Sequence, residues 1–258
     1  MIEIELFEEQ GTAVVLLNHP ERRNALSMAI VEELGAQIGE LDGREDVRAI
    51  VLTGADPAFC AGFDLKALST EDRGAQEARR SDPMTMRGLL PERSTPVIGA
   101  INGAAVTGGL ELALSCDFLI GSERARFADT HARVGLMPGA GLTLRLPERV
   151  GVARALQMST TGDFIDAEQA LRWGLLNEVV PHEDLLGRAL AIASSISSIP
   201  ASSVSEIRSM YAAFAGSRDV EDYAREHAWA RTWMADRFDQ SRLASSKDAI
   251  IERGRSGQ

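Results

Sequence analysis

Cysteine is nearly absent. Two in 258 residues, Cys60 and Cys116, exclude a disulfide-stapled scaffold and a multi-cysteine metal site. The four histidines, His19, His131, His182 and His227, form no HExxH or other close ligand pair, so no metal is expected. Basic residues are in the minority: 27 Lys and Arg against 38 Asp and Glu leave a net charge of −11. Such a surface repels phosphate backbones, so no nucleic-acid partner is expected; a local basic patch for a small anion stays compatible with it. No apolar run approaches the length that spans a bilayer, so no membrane partner is expected. The N-terminal Met1-Ile-Glu-Ile-Glu lacks the basic and apolar stretches of a secretory signal, and the expectation is a cytoplasmic chain with reduced thiols.

What is there reads as an α/β protein. Hydrophobic residues make up 45% and charged residues 25%, enough for a sizeable core in one large domain or two small ones. Ile2, Ile4 and Leu6 alternate with glutamates as in a half-buried strand. Gly11-Thr12 turns the chain into a second strand over 13–17. A helix follows, with Ile30, Leu34, Ile38 and Leu41 on one stripe and Gly43 at its end. The runs 49–53 and 96–101 are continuous and apolar, as in strands covered on both faces. Residues 118–120 and 127–128 read as short strands, with 179–180 as a last one. Residues 54–95 hold little β signal, and 71–80 reads as a mobile surface segment. The region 129–147 reads as loop and short helix. Helices are expected near 151–159, 166–173, 182–198 and 200–214. Two amphipathic tail helices over 219–253 carry Trp229, Trp233 and Phe238 as anchors. These elements divide into a core over 1–197 and a helical region over 198–258.

Two glycine segments follow buried strands. One is Ala58-Phe59-Cys60-Ala61-Gly62-Phe63-Asp64; the other is Asn102-Gly103 through Gly108-Gly109-Leu110-Glu111. Glycine at such junctions lets backbone approach a ligand and leaves N–H groups pointing outward, although either segment alone also reads as a tight turn. Neither matches a nucleotide-binding glycine pattern. Two convergent N–H donors are what an oxyanion hole needs.

The ordered set Asn18-His19-Pro20, Asn24-Ala25-Leu26, Phe59 to Leu65, Ala100 to Gly103, Gly108 to Ala113, Cys116-Asp117, Phe127-Ala128, Gly135 to Gly141, Ala167 to Ala170 and Trp173 to Val179 resembles the crotonase (enoyl-CoA hydratase/isomerase) superfamily over about residues 1–200. The resemblance implies a spiral of repeated ββα units with a helical C-terminal trimerisation region, and hence a homotrimer or a dimer of trimers. It implies an acyl-CoA thioester substrate, coenzyme A being part of the substrate and no separate cofactor being needed. Its thioester oxygen would sit between the N–H groups of Phe63 and Gly108, the second at a helix start whose dipole favours a developing enolate. The coenzyme A adenine would lie along the backbone of Ala58, Phe59 and Ala61. Arg22, Arg23 and Lys66 are candidate phosphate or ribose contacts, with solvated surface charge as the plain alternative.

Glu111 falls on one catalytic glutamate of the hydratases; its plain alternative is a first-turn carboxylate stabilised by the helix dipole. The second glutamate position falls on His131. Hydration needs one group to activate water and one to deliver the α-proton, and a histidine can do either. His131 thus either takes over the glutamate's role or marks a different reaction. Asp129 and Thr130 are placed to cap a short helix carrying His131, the favoured reading, or Asp129 orients the imidazole. Three functions follow: an enoyl-CoA hydratase-like enzyme, an isomerase or other enolate reaction with Glu111 as sole shuttle, or an acyl-CoA-binding protein without turnover. Cys60 and Cys116 read as core residues, and Ser115, although of a triad's residue type, has no elbow to present it.

Overall fold

The computed structural model describes residues 1–7, 11–64, 88–214, 220–237 and 249–252. The strands are β1 (Ile2–Phe7), β2 (Thr12–Leu17), β3 (Ala49–Gly54), β4 (Ala58–Cys60), β5 (Val97–Ile101), β6 (Ala104–Val106), β7 (Phe118–Ser122), β8 (Arg126–Ala128), β9 (Ile165–Asp166) and β10 (Glu178–Val180). The α-helices are α1 (Met28–Asp42), α2 (Gly108–Leu114), α3 (His131–Val134), α4 (Leu142–Val150), α5 (Val152–Thr161), α6 (Ala167–Trp173), α7 (Leu185–Ser197), α8 (Ala201–Phe214) and α9 (Val220–Arg237).

Two sheets carry the fold. The larger runs β1-β2-β3-β5-β7-β10, antiparallel only between β1 and β2, and the smaller runs β4-β6-β8-β9, antiparallel only between β8 and β9. Successive strand pairs β3–β4, β5–β6 and β7–β8 each place their first strand in the large sheet and their second in the small one. Helices α2 and α3 close the second and third of these units, so the repeat is the expected ββα spiral.

Every residue of β3 is buried, because both faces of the large sheet are covered. On one face Val14, Ala49, Val51, Ile98 and Ile120 pack under Leu185, Ala189 and Ala193 of α7. On the other, Ala13, Val15, Ile50 and Leu52 join Leu34, Ile38 and Leu41 of α1 and the small-sheet residues Phe59 and Phe127. Each of the Val, Leu, Ile and Phe side chains contributes about 1.5–3 kcal/mol when fully removed from water. Ser27 starts α1 by accepting the Ile30 N–H at 3.3 Å.

Four elements differ from the sequence reading. Strand β4 lies inside 54–95, β6 follows the Asn102-Gly103 turn, and β9 has two residues. Strands of two or three residues are too short to display a period. Helix α4 occupies a stretch read mostly as loop; its buried Leu142, Leu146 and Val150 recur every fourth residue, but Pro147 within it reads as a stop. Residues 71–80, Lys66 and Phe238 lie outside the described residues, as does most of the second tail helix. Among the described residues no single helix is long and apolar enough to cross a membrane.

Candidate active site

The two glycine segments meet. Leu26 pairs with Phe63 in a parallel bridge: the Leu26 N–H donates to the Gly62 carbonyl and the Asp64 N–H donates to the Leu26 carbonyl, both at 2.8 Å. In that register the intervening Phe63 N–H points away from Leu26. It lies beside Gly108, where an added methyl would stand 3.4 Å from the Phe63 nitrogen. A methyl at Gly109 would come within 2.0 Å of the Cys60 carbonyl oxygen, so only glycine allows α2 to start this close to the end of β4. Thr107, preceding Gly108, holds φ 56° and ψ −112°, a conformation costly to a β-branched residue. Its hydroxyl is fixed by the Thr130 hydroxyl at 2.6 Å and accepts the Thr130 N–H at 3.3 Å. Thr107 thus sets the peptide plane carrying the Gly108 N–H.

Glu111 follows one turn into α2 and is 2% exposed. Its Oε1 accepts the N–H groups of Gly139 at 3.2 Å and Ala140 at 2.9 Å. Burial pushes its carboxyl up to about 7; the charge of Glu226 adds to that push, while His131 and the Ala140 N–H oppose it. Its Oε2 stands 3.9 Å from Nε2 of His131, beyond hydrogen-bond reach. His131 is 6% exposed at the start of α3.

Asp129 settles the orientation of that ring. Its Oδ1 accepts from His131 Nδ1 at 2.7 Å and from the His131 backbone N–H at 3.2 Å. The capping reading holds for Asp129, which accepts the first N–H of α3, and not for Thr130, which makes no side-chain cap; the shorter bond of Asp129 goes to the imidazole, because a buried ring N–H requires an acceptor. Burial disfavours the imidazolium, but the Asp129 bond and the nearby Glu111 charge outweigh it, and the His131 pKa is raised. Asp129 is correspondingly held below the usual carboxylate range, burial opposing and the His131 contacts prevailing.

Among the described residues expected along coenzyme A, hydrogen bonds tie the loop at Arg23 and Asn24 to the 58–61 stretch. Asn24 is 2% exposed, and its Nδ2 donates to the carbonyls of Ala55 at 2.7 Å and Ala58 at 2.6 Å. The Ala61 N–H donates to the Arg23 carbonyl at 3.0 Å. Ala58 and Phe59 have buried side chains, so they offer a ligand backbone alone. Arg23 is exposed. Arg22 is exposed and bonded to Asp64 at 2.8 Å, next to Phe63.

Cys60 and Cys116 are buried, and burial pushes both thiols up to about 12, which suits core residues. Ser115 donates to the Glu111 carbonyl at 2.8 Å within its own helix.

The tail helix α9 holds what the sequence reading missed. Glu226, 9% exposed, accepts the N–H groups of Gly141 at 2.6 Å and Thr143 at 2.8 Å. His227, read as one polar residue on a tail helix, is buried beside Gly139. Trp233 donates Nε1 to the Gly135 carbonyl at 3.2 Å. Trp229, expected as an anchor, is 72% exposed. No local pattern marks Glu226, whose partners lie more than eighty residues upstream.

A ββα spiral whose two glycine segments meet beside a buried carboxylate defines a crotonase-fold protein. The profile of the enoyl-CoA hydratase/isomerase family matches residues 8–253, and the chain belongs to that family. A probable enoyl-CoA hydratase of Mycobacterium tuberculosis is 38% identical over 194 residues, 75% of each chain. A probable peroxisomal enoyl-CoA hydratase of Arabidopsis thaliana is 37% identical over 189 residues, 73% of this chain and 70% of that one. The crystal structure of an enoyl-CoA hydratase from M. tuberculosis H37Rv superposes with a TM-score of 0.81 at 42% identity, covering 91% of this chain and 99% of that one.

Proposed function

We propose that the protein hydrates enoyl-CoA thioesters, with Glu111 and His131 as its acid–base pair. One observation carries this reading. Two ionisable groups share a buried space next to Gly108, each with one atom tied down and one atom left facing the other: Oε2 of Glu111 and Nε2 of His131, 3.9 Å apart. A carboxyl raised to about 7 is a base matched to neutral pH. An imidazole backed by Asp129 favours the cation and serves as the acid.

The reaction then runs as follows. The N–H groups of Phe63 and Gly108 hold the thioester oxygen and stabilise the negative charge that develops there. Glu111 Oε2 takes a proton from water as the water oxygen bonds to the β-carbon. The electron pair of the double bond moves toward the thioester, and His131 Nε2 delivers its proton to the α-carbon. Proton exchange with solvent returns Glu111 to the carboxylate and His131 to the cation, and the balance is one water added across one double bond.

The backbone of Ala58, Phe59 and Ala61 takes the adenine, with Arg22 and Arg23 as phosphate or ribose contacts. The homotrimer or dimer of trimers belongs to the same reading. Exposed Val152 and Leu156 on α5 and Ile207, Met210 and Tyr211 on α8 support it, since apolar side chains grouped on helix faces mark association surfaces. Cytoplasmic residence completes the proposal.

The test is the loss of enoyl-thioester absorbance with crotonyl-CoA, for wild type and Glu111→Gln. Hydration by the wild type and its near loss in the variant, with thioester affinity kept within about tenfold, are expected, since glutamine keeps the shape and cannot exchange the proton. Migration of the double bond without hydration would assign isomerisation instead, and binding without turnover would assign a carrier.

A further inference from the structure

Two buried carboxylates divide the amides of one stretch of chain. Glu111 takes Gly139 and Ala140, and Glu226 takes the next amide, Gly141, and then that of Thr143. The Thr143 hydroxyl donates to Glu226 as well. Helix α4 starts at Leu142 with Gly141 as its N-cap and no side-chain cap of its own, so Glu226 supplies that cap from α9. Tyr223, three residues before Glu226, lies against Gly141, where a methyl would meet its Cε1 at 2.7 Å. The Tyr223 hydroxyl accepts Arg145 Nε at 3.0 Å. With Trp233 on the Gly135 carbonyl, α9 grips the segment at both ends, and the Glu111-bound amides lie between.

We propose that Glu226 is a positioning residue for Glu111, fixing from the tail helix the row of amides that aims the Glu111 carboxylate. The proposal rests on Glu111 being the proton shuttle. A bare helix cap would need only some acceptor; a full carboxylate buried beside a second carboxylate does more. Its charge opposes ionisation of Glu111 and so helps to hold the proton affinity of that base near neutrality. The other groups facing Glu111 are His131 on α3, which favours its ionisation, and Asp129 before α3, which opposes it. Arg145 on α4 is engaged with Tyr223 and the Leu114 carbonyl.

Glu226→Gln removes the charge and turns a donor toward amides that need an acceptor. Turnover of crotonyl-CoA is expected to fall on the order of tenfold with KM within about twofold, because misplacing a reacting group falls mainly on the chemical step. The acid limb of the kcat profile is expected to move to lower pH, since Glu111 ionises more easily once its neighbour is neutral. Glu226→Asp keeps the charge with a shorter reach: kcat falls while the acid limb stays. A purely structural Glu226 would lower the melting temperature and leave that limb in place. Wild-type kcat and an unmoved limb in Glu226→Gln, beside an inactive Glu111→Gln, would overturn the positioning role alone. Full turnover in Glu111→Gln would overturn the shuttle and with it this proposal. Should Glu226→Gln fail to fold, Glu226→Asp decides: reduced kcat supports the role and wild-type kcat overturns it.

Discussion

Asp129 Oδ1 and His131 Nδ1 lie 2.7 Å apart, and that bond turns Nε2 of the same ring toward Glu111 Oε2, 3.9 Å away. A carboxylate behind the imidazole fixes its tautomer and favours its charged form. At the position where the resemblance calls for a glutamate, the chain therefore carries a two-residue device. It differs from a single carboxyl in one respect that matters chemically: its charged form is the proton donor.

His131→Ala removes that donor. Turnover of crotonyl-CoA is expected to fall on the order of a hundredfold or more, the usual contribution of one general acid or base, and the melting temperature is expected to fall as well, because buried Asp129 loses its ring partner. His131→Glu is expected to recover hydration, because a carboxyl again occupies the position. Full hydratase kcat in folded His131→Ala would remove His131 from the reaction.

Much of this site was legible in the sequence, and the reason is local. Glycine beside an apolar strand reports close backbone approach, and Glu111 sits one turn past Gly108 on a helix the glycines open. The ring partner of His131 stands two residues away, so Asp129 was within reach of a local reading, although the capping role was ranked ahead of the orienting one. Glu226, Tyr223 and Trp233 were not legible. Glu226 and Trp233 bond backbone groups in the Gly135–Thr143 stretch, which leave no mark in sequence, and Tyr223 bonds Arg145, 78 residues away. Trp229, the most conspicuous tail residue, points to solvent in this chain for a similar reason: size alone does not say which side of a helix packs.

Asp129→Asn separates the two carboxylates around His131. Asp129 raises the His131 pKa, so its neutral replacement lowers it. If His131 acts as the acid, activity is lost where it deprotonates, and the basic limb of the kcat profile moves to lower pH in the variant. Movement of the acid limb in its place would reverse the assignment and make neutral His131 the base. A profile unchanged on both sides would detach Asp129 from the chemistry.

Asn24→Ala tests the tie between its loop and the 58–61 stretch. The Asn24 amide donates to Ala55 and Ala58 and accepts the His19 N–H at 2.9 Å, while its own φ is 55°. Alanine leaves those groups unpaired and adopts that φ less readily. A stability loss of about 3 kcal/mol is expected from stranding buried polar groups, read by denaturant unfolding. A raised KM for the thioester, with kcat nearly kept, is expected as well. A KM equal to that of the wild type would separate the loop 55–58 from coenzyme A binding.

Thr107→Gly probes the strain beside the proposed oxyanion donors. A β-branched residue at φ 56° costs about 1–3 kcal/mol, and glycine removes that cost. Glycine also loses the hydroxyl bond to Thr130, about 1 kcal/mol, and gains freedom in the unfolded chain. These effects oppose one another, so stability is expected to change by less than about 1 kcal/mol. Catalysis has no such compensation. Thr107 is pinned by its bonds to Thr130, and through it the direction of the Gly108 N–H is pinned. A glycine at 107 lets that peptide plane swing, and preorganisation is what makes an oxyanion donor effective. kcat/KM for crotonyl-CoA is expected to drop on the order of tenfold, a fraction of the loss seen when a donor is removed outright. Thr107→Ser keeps the hydroxyl and is expected to stay near wild type. Wild-type kcat/KM in Thr107→Gly would mean that Gly108 is held in place by the packing of α2 alone.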